Sequence, residues 1–258
     1  MDKYLFLFTI SPVQSYISQA RKTQDLKAGS MILSDLISYA IDETTKGDQK
    51  AEIIFPSTNI VSKPNRFLAE LEFKSNQQAQ EFGEVLADTT RKKFISMAEE
   101  VFKEKFPNRK YPKLFQTQID NFLEIYWVIH PLSENYGVSY SEIERLLAAV
   151  KNIKVFQQTA EQGRKCSLCG ERNGLFYELT KKEKEPYDLE KDSIRSPELD
   201  NSETLCAVCF TKRYYRKIAG EFPSTIDIAL MEKYDKIIEE LRKEGKHNVH
   251  LLQYIKDN

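Results

Sequence analysis

The 258-residue sequence lacks the features of several specialised protein classes. Its formal net charge is −1, so it is not a uniformly basic nucleic-acid-binding protein, and any contact with nucleic acid must be local. It has only 9 glycines and 9 prolines, and 41% of its residues are hydrophobic, which argues against a disordered chain. The apolar run at residues 4–10 is about seven residues long, too short for a signal sequence or a membrane span. We expect a globular, cytoplasmic protein that makes no membrane contact.

Histidines and cysteines are few. The three histidines, His130, His247 and His250, are scattered, and no His-Asp doublet occurs, so a metal-dependent HD phosphohydrolase centre is excluded from this sequence. The four cysteines form two C-x2-C pairs separated by 36 residues: Cys166, Cys169, Cys206 and Cys209. Two such pairs supply the four thiolates of a tetrahedral Zn²⁺ site, and a site with four cysteine ligands has no open position for a reactive water. We expect a structural zinc ion; the alternative is four unligated core cysteines.

The sequence does contain a strong hydrophobic pattern. Apolar runs and alternation predict strands, and apolar residues at helical spacing predict helices. The predicted strands are residues 4–10, 52–55, 66–73 and 122–129, and the predicted helices are residues 13–20, 33–40, 77–106, 140–156, 205–219 and 232–243. A polar break at residues 24–29 separates the first two helical pieces. Up to residue 135 the order is that of a ferredoxin-like domain, which is also the core of polymerase and cyclase palms.

These patterns predict an α+β protein in which a ferredoxin-like palm domain is followed by a zinc-ribbon-containing helical domain. The expected boundaries are 1–135 for the palm, 136–225 for the helical domain with the cysteines, and 226–258 for the start of a further helical segment. Residues 181–202 carry charges of both signs without an apolar period, which indicates a solvated loop.

The palm lacks the acids that its usual chemistry requires. Two-metal phosphoryl transfer needs carboxylates at the end of the first strand and in the hairpin between the second and third strands. Ile10 and Ser11 occupy the first place, and the second, at residues 55–65, reads FPSTNIVSKPN. A lone acid, Asp25, is better interpreted as a helix cap or turn former than as a metal ligand. We expect this palm to be catalytically inactive on its own.

A basic stretch with interleaved tyrosines follows the second cysteine pair, TKRYYRKIAG at residues 211–220. Its cations could contact RNA phosphates while a tyrosine stacks on a base, or they could form a solvated helix face. Both interpretations stay open for the four candidates, Lys212, Arg213, Arg216 and Lys217.

Several motifs together resemble one family. ISPVQSYISQARKTQDLKAGSMILS, IIFPS, KPNRFLAEL, KCSLCGERNGLF, LCAVCFTKRYYRK and EFPSTIDIA occur in this order over residues 4–229. They look like the N-terminal part of the large subunit of type III-B CRISPR effector (Cmr) complexes. The resemblance implies two palms separated by a zinc-binding domain, often preceded by an HD nuclease domain. In the family, a GGDD motif in the second palm converts ATP to cyclic oligoadenylate when target RNA is bound. This sequence contains neither GGDD nor the HD doublet.

The resemblance also implies a role for residues 11–34, which we call the strand-to-helix segment. The first palm of the family lacks metal ligands and helps to hold a nucleotide at a cleft shared with the second palm. The matching small and polar residues become nucleotide-binding candidates: Ser11, Gln14, Asp25, Gly29 and Ser30. Close helix packing at Gly29 and Ser30 is the alternative.

The implied partners are other Cmr subunits, crRNA and target RNA, and ATP with Mg²⁺ or Mn²⁺ once a second palm is present. A stand-alone, catalytically inactive palm that acts as a protein-interaction module is the alternative function. A cyclase that works alone conflicts with the missing carboxylates.

Overall fold

The computed structural model describes residues 2–215 except residues 48, 154–160, 184 and 186. Contacts divide the chain into two units between Tyr215 and Arg216, and the description covers the first. The helix predicted at residues 232–243 and the segment 226–258 lie outside the described residues, and the boundary after residue 135 remains a prediction. Within the described part, no helix is both long and apolar enough to cross a membrane.

The described residues form an α+β structure with two antiparallel or mixed sheets. The elements are β1 (Asp2–Ser11), α1 (Gln14–Ser18), α2 (Thr23–Lys46), β2 (Ala51–Phe55), β3 (Arg66–Phe73), α3 (Asn76–Lys105), α4 (Phe115–Asp120), β4 (Glu124–Pro131), α5 (Tyr136–Asn152), β5 (Phe176–Tyr177), β6 (Ile194–Arg195), β7 (Thr204–Leu205) and α6 (Ala207–Tyr214). The four long strands match the predicted ones closely, whereas the short helix α4 was not predicted.

The first sheet has the strand order β2-β3-β1-β4, and every neighbouring pair is antiparallel. Phe6 and Phe8 of the central strand β1 point into a large core together with α2 and α3, while Leu5 and Leu7 meet α5 on the opposite face. Both faces of β1 are therefore buried, which explains a continuous apolar run in place of alternation. Leu68, the one residue that breaks the alternation of β3, also packs in the α5 layer.

The break between the first two helices lies earlier than predicted. Residues 24–29 belong to α2, and the chain turns at residues 19–22 instead. Asp25 explains the difference, since its carboxylate accepts hydrogen bonds from the backbone N–H groups of Arg21 and Lys22, each at 3.2 Å. These bonds satisfy donors at the start of α2, so an acid in an apparently polar break begins a helix.

The second sheet is small, with the order β6-β5-β7 and strands of two residues each. Its strand β6 lies within residues 181–202, and the side chains of Ile194 and Leu199 are buried. The prediction of a wholly solvated loop is therefore wrong for this part, because two isolated apolar residues dock where no period could reveal them. We call residues 161–215, which contain this sheet, the cysteine region.

Candidate functional site

The four cysteines meet at one point. Cys166 and Cys169 lie in a turn that ends at Gly170, which adopts φ +66° and whose N–H donates to the Cys166 carbonyl at 2.9 Å. Cys206 is the N-cap of α6, and its Sγ accepts from the backbone N–H of Cys209 at 3.4 Å. All four Sγ atoms lie within 4.8 Å of one another. The two pairs, predicted from spacing to act together, are thus brought together by the fold.

The geometry fits a tetrahedral metal ion such as zinc. A Zn–S bond of about 2.3 Å gives S···S edges of about 3.8 Å in a regular tetrahedron. The Sγ atoms of Cys169 and Cys206 are 3.8 Å apart, far longer than a disulfide bond, and all four cysteines are free. A metal ion at their centre would be held by four sulfur ligands.

Charges around the sulfur atoms also suit a metal–thiolate centre. Hydrogen bonds with the thiols of Cys166, Cys206 and Cys209, largest first, lower the pKa of Cys169. Burial instead raises the pKa of Cys206. Three of the four thiols are buried and Cys169 is half-buried, so ionisation of all four requires a cation among them. Burial alone would lower the pKa of Arg172, but the Cys206 and Cys169 thiolates raise it. Arg172 thus supplies positive charge next to the negative charge that a four-thiolate site carries.

The five nucleotide candidates of the strand-to-helix segment fall into two groups by solvent exposure. Gln14 and Ser30 are exposed and Ser11 is half-buried, so these three are accessible. Asp25 and Gly29 are buried. A Cβ atom on Gly29 would lie 3.1 Å from Cδ of Lys212 and 3.5 Å from Cα of Ile17. Gly29 therefore allows close packing, the alternative that the sequence left open for it.

Asp25 and Arg213 form a buried charge cluster with Glu203. Arg213 donates from Nη2 to Asp25 at 2.9 Å and to Glu203 at 3.0 Å, and its Nε and Nη1 make further bonds to the same two acids. The Arg213 side chain is 5% exposed and both acids are 0% exposed. Burial would lower the pKa of Arg213, but the hydrogen bonds to Asp25 and Glu203 raise it above its usual value.

Lys212 is buried beside this cluster. Its Nζ donates to the carbonyl of Tyr16 at 2.6 Å and to that of Gln19 at 2.5 Å, and it lies 4.7 Å from the centre of the Tyr16 ring. Lys212 and Arg213 were expected on an RNA-contacting or a solvated face of their helix. Both point inward instead, because α6 packs against α2 and α3. The other two basic candidates, Arg216 and Lys217, lie outside the described residues.

Three further residues near the cysteines, the charge cluster and the end of β1 have no signal of a functional role in the sequence. Glu203 completes the charge cluster, but no spacing rule links it to an arginine ten residues later. The hydroxyl of Tyr16 is buried and has no hydrogen-bond partner among the described residues. Its pKa is raised well above the usual value by burial, and then by Cys209 and Cys206. Glu124 of β4 pairs in register with Ser11 at the end of β1. A carboxylate therefore lies beside this position, which only the pairing of the two strands makes visible.

Fold and site together define an α+β protein in which four clustered cysteines could hold a metal ion, next to a helix, α6, that packs against α2, α3 and α4. Residues 5–123 match the family described as CRISPR-associated protein Cmr2, N-terminal. Along its whole length, the chain is 24% identical to the CRISPR system Cmr subunit Cmr2 of Pyrococcus furiosus and covers 37% of that protein. These findings confirm the resemblance to the N-terminal part of the Cmr2 large subunit.

Solved structures agree on the fold. A type III-B Cmr-beta structure in the apo state contains a chain with a TM-score of 0.61 and 15% identity, covering 94% of this chain and 37% of the other. A chain of type III-B Cmr-beta bound to cognate target RNA gives a TM-score of 0.55 at 15% identity, over 93% and 37%. The chain thus spans about 37% of the length of these relatives.

Proposed function

We propose that this chain is the N-terminal portion of the large subunit of a type III-B CRISPR RNA-guided antiviral complex. In this role it forms the metal-free first palm of a cyclic oligoadenylate synthase and contacts other Cmr subunits. The observation that carries the proposal is the alignment with Cmr2 along the whole chain, together with the family match at residues 5–123. The proposed partners are the other Cmr subunits, crRNA, target RNA and ATP.

The four-stranded sheet supports the assignment to a ferredoxin-like palm. Its order β2-β3-β1-β4 and its all-antiparallel pairing accompany the sequence of elements strand, helix, strand, strand, helix, strand. The end of β1 and the connection between β2 and β3 carry no acidic residue of their own, and Glu124 of β4 is a single carboxylate, not the pair that two metal ions require. ATP with Mg²⁺ or Mn²⁺ would therefore be held only in combination with a second palm that supplies the metal ligands.

The accessible part of the strand-to-helix segment would form one wall of the shared nucleotide cleft. Ser11, Gln14 and Ser30 expose hydroxyl or amide groups that can bond to ribose or phosphate oxygen atoms. Each such bond contributes about 0.5–1.5 kcal/mol, so a half-site of this kind binds ATP in the millimolar range or more weakly. Asp25 and Gly29 would act indirectly in this arrangement, by shaping the segment.

Zinc would serve a structural role in this protein. The four cysteines would hold it, and a site without an open ligand position offers no activated water. The alternative function, a stand-alone inactive palm that acts as an interaction module, also uses such a centre. Copurification with the other Cmr subunits separates the two, because the alternative requires no such assembly.

The test of the nucleotide role is oligoadenylate yield against ATP concentration in reconstituted Cmr complexes. We expect Ser30→Ala to weaken ATP use several-fold without disturbing assembly, whereas Gly29→Leu disturbs both because its side chain collides with Lys212 and Ile17. The matched control is Ser141→Ala, which removes an exposed hydroxyl from α5 on the other side of the sheet. Curves for Ser30→Ala that coincide with the wild type would assign this stretch to packing.

A second measurement tests the requirement for a partner palm. The isolated chain, incubated with ATP and Mg²⁺ or Mn²⁺, should make no oligoadenylate, because no acidic pair lies where two metal ions must bind. Product that disappears on mutation of a residue in this chain would contradict the proposal.

A further inference from the structure

Helix α6 joins the cysteine region to the strand-to-helix segment, although the two lie far apart in the sequence. This helix begins at its N-cap Cys206 and carries Cys209 in its first turn, so two of the four candidate metal ligands hold its N-terminal end. One turn further along the helix, Lys212 and Arg213 reach partners in the strand-to-helix segment 188 to 196 residues away.

Lys212 closes the C-terminal end of α1. The carbonyls of Tyr16 and Gln19 lie at the end of this five-residue helix, where no further helical N–H can reach them. The buried ammonium group of Lys212 donates to both, and its stem lies over Gly29 of α2. A single side chain of the cysteine region therefore contacts both helices of the segment.

Arg213 acts at the start of α2. Asp25 accepts the N–H groups of Arg21 and Lys22 and, at the same time, the guanidinium group of Arg213. The carboxylate that begins α2 is therefore oriented from the cysteine region, with Glu203 fixing the other side of the guanidinium group.

Further side-chain contacts also join the strand-to-helix segment to the cysteine region. Gln19 donates to Glu171 at 3.0 Å, and Lys22 pairs with Asp200 at 3.1 Å. Tyr215 donates its hydroxyl to Asp35 at 2.8 Å, one residue beyond the segment. Every one of these contacts joins the segment or its end to residues between Glu171 and Tyr215.

We infer that the metal-loaded cysteine centre holds the strand-to-helix segment in its conformation, with Lys212 and Arg213 as the positioning residues. Metal at the four sulfurs fixes α6, and α6 fixes the end of α1 and the start of α2. The segment would thus lose its order when the metal is removed, although it contains no metal ligand. This inference does not depend on the nucleotide role, since it concerns the conformation of the segment without ATP.

Hydrogen–deuterium exchange of the full 258-residue chain tests the inference. Peptides that cover residues 14–34 are compared in the zinc-loaded wild type, in the same protein after chelation, and in zinc-loaded Lys212→Met, which keeps the aliphatic stem. We expect exchange in these peptides to be about tenfold faster or more, both after chelation and in Lys212→Met. Metal content is measured in parallel, and Lys212→Met should retain the wild-type zinc content.

Arg195→Met provides the matched control. It removes a bidentate ion pair with Glu178 from the same region, but that pair does not touch α1 or α2. Exchange at residues 14–34 should be unchanged in this variant.

The inference is overturned if chelation opens residues 161–215 while exchange at residues 14–34 keeps its wild-type rate. It is also overturned if zinc-loaded Lys212→Met exchanges like the wild type. If this variant does not retain zinc, the loaded and metal-free wild-type proteins decide the question alone. None of these results depends on ATP use. A failure of this inference can therefore be distinguished from a failure of the proposed nucleotide role.

Discussion

The two sheets of this protein are stabilised in different ways. The four-stranded sheet has strands of up to ten residues, and aromatic and aliphatic side chains cover both of its faces. The small sheet has strands of two residues, and its surroundings contain four clustered cysteines and a buried charge cluster. Burial of apolar area can stabilise the first. The second, with its surroundings, also buries Phe176 and Phe210 in the same core, but its two-residue strands provide few ladder bonds, so we expect ligands and ion pairs to contribute more of its stability.

Metal removal should give the largest difference between the two regions. The purified chain should carry about one equivalent of zinc, and Cys166→Ser should lose both the metal and the order of the cysteine region. Structural zinc sites contribute about 10–16 kcal/mol of apparent binding free energy, more than a small domain can replace. Metal analysis and hydrogen exchange measure the effect, and amides of β1 and β3 should stay protected. A metal-free preparation that melts and folds like the loaded protein would remove the claim.

The same contrast explains what could be predicted from the sequence. The four long strands follow from local hydrophobic patterns, because each pattern is set by the sheet face that the residues occupy. The cysteine cluster also follows from spacing, since two C-x2-C pairs supply the four ligands of a tetrahedral zinc site. The short helix α4 and strand β6 were not predicted, as six and two residues are too few to display a period.

The charge cluster could not be predicted in this way. Asp25 and Arg213 are 188 residues apart, and neither has a local pattern that identifies the other. The sequence offers Asp25 both as a nucleotide candidate and as a helix cap, and its hydrogen bonds at the start of α2 agree with the cap. Lys212 and Arg213 looked like surface cations because their burial depends entirely on how α6 docks. Long-range polar pairs of this kind become visible only in three dimensions.

The next largest effect should come from the charge cluster. Arg213→Ala leaves two buried carboxylates without their cation, and breaking a buried ion pair in this way costs about 3–5 kcal/mol. Urea unfolding of the zinc-loaded chain measures the loss. The triple variant Arg213→Met, Asp25→Asn, Glu203→Gln removes all three charges and should recover part of it. A triple variant no more stable than Arg213→Ala would show that the loss has another cause than the unpaired acids.

The smallest effect should come from an ion pair on the four-stranded sheet, which contrasts with the buried cluster. Lys3 of β1 donates to Glu70 of β3, and its side chain is 54% exposed, so solvent screens the pair. The hydrogen bond to Glu70 raises the pKa of Lys3 above its usual value. A raised lysine pKa stabilises the folded state below the unfolded pKa, and this contribution is lost as the pH rises through the folded pKa. Lys3→Met should therefore shift the urea midpoint slightly downward at pH 8, and the difference from wild type should vanish in strongly alkaline solution.

Lys50→Met is the matched control, because Lys50 is 82% exposed and lies 3.7 Å from Glu72 of the same strand β3, a looser pair. A Lys3→Met loss as large as that of Arg213→Ala, or one that persists at high pH, would contradict the division between a sheet held by packing and a region held by metal and buried charge.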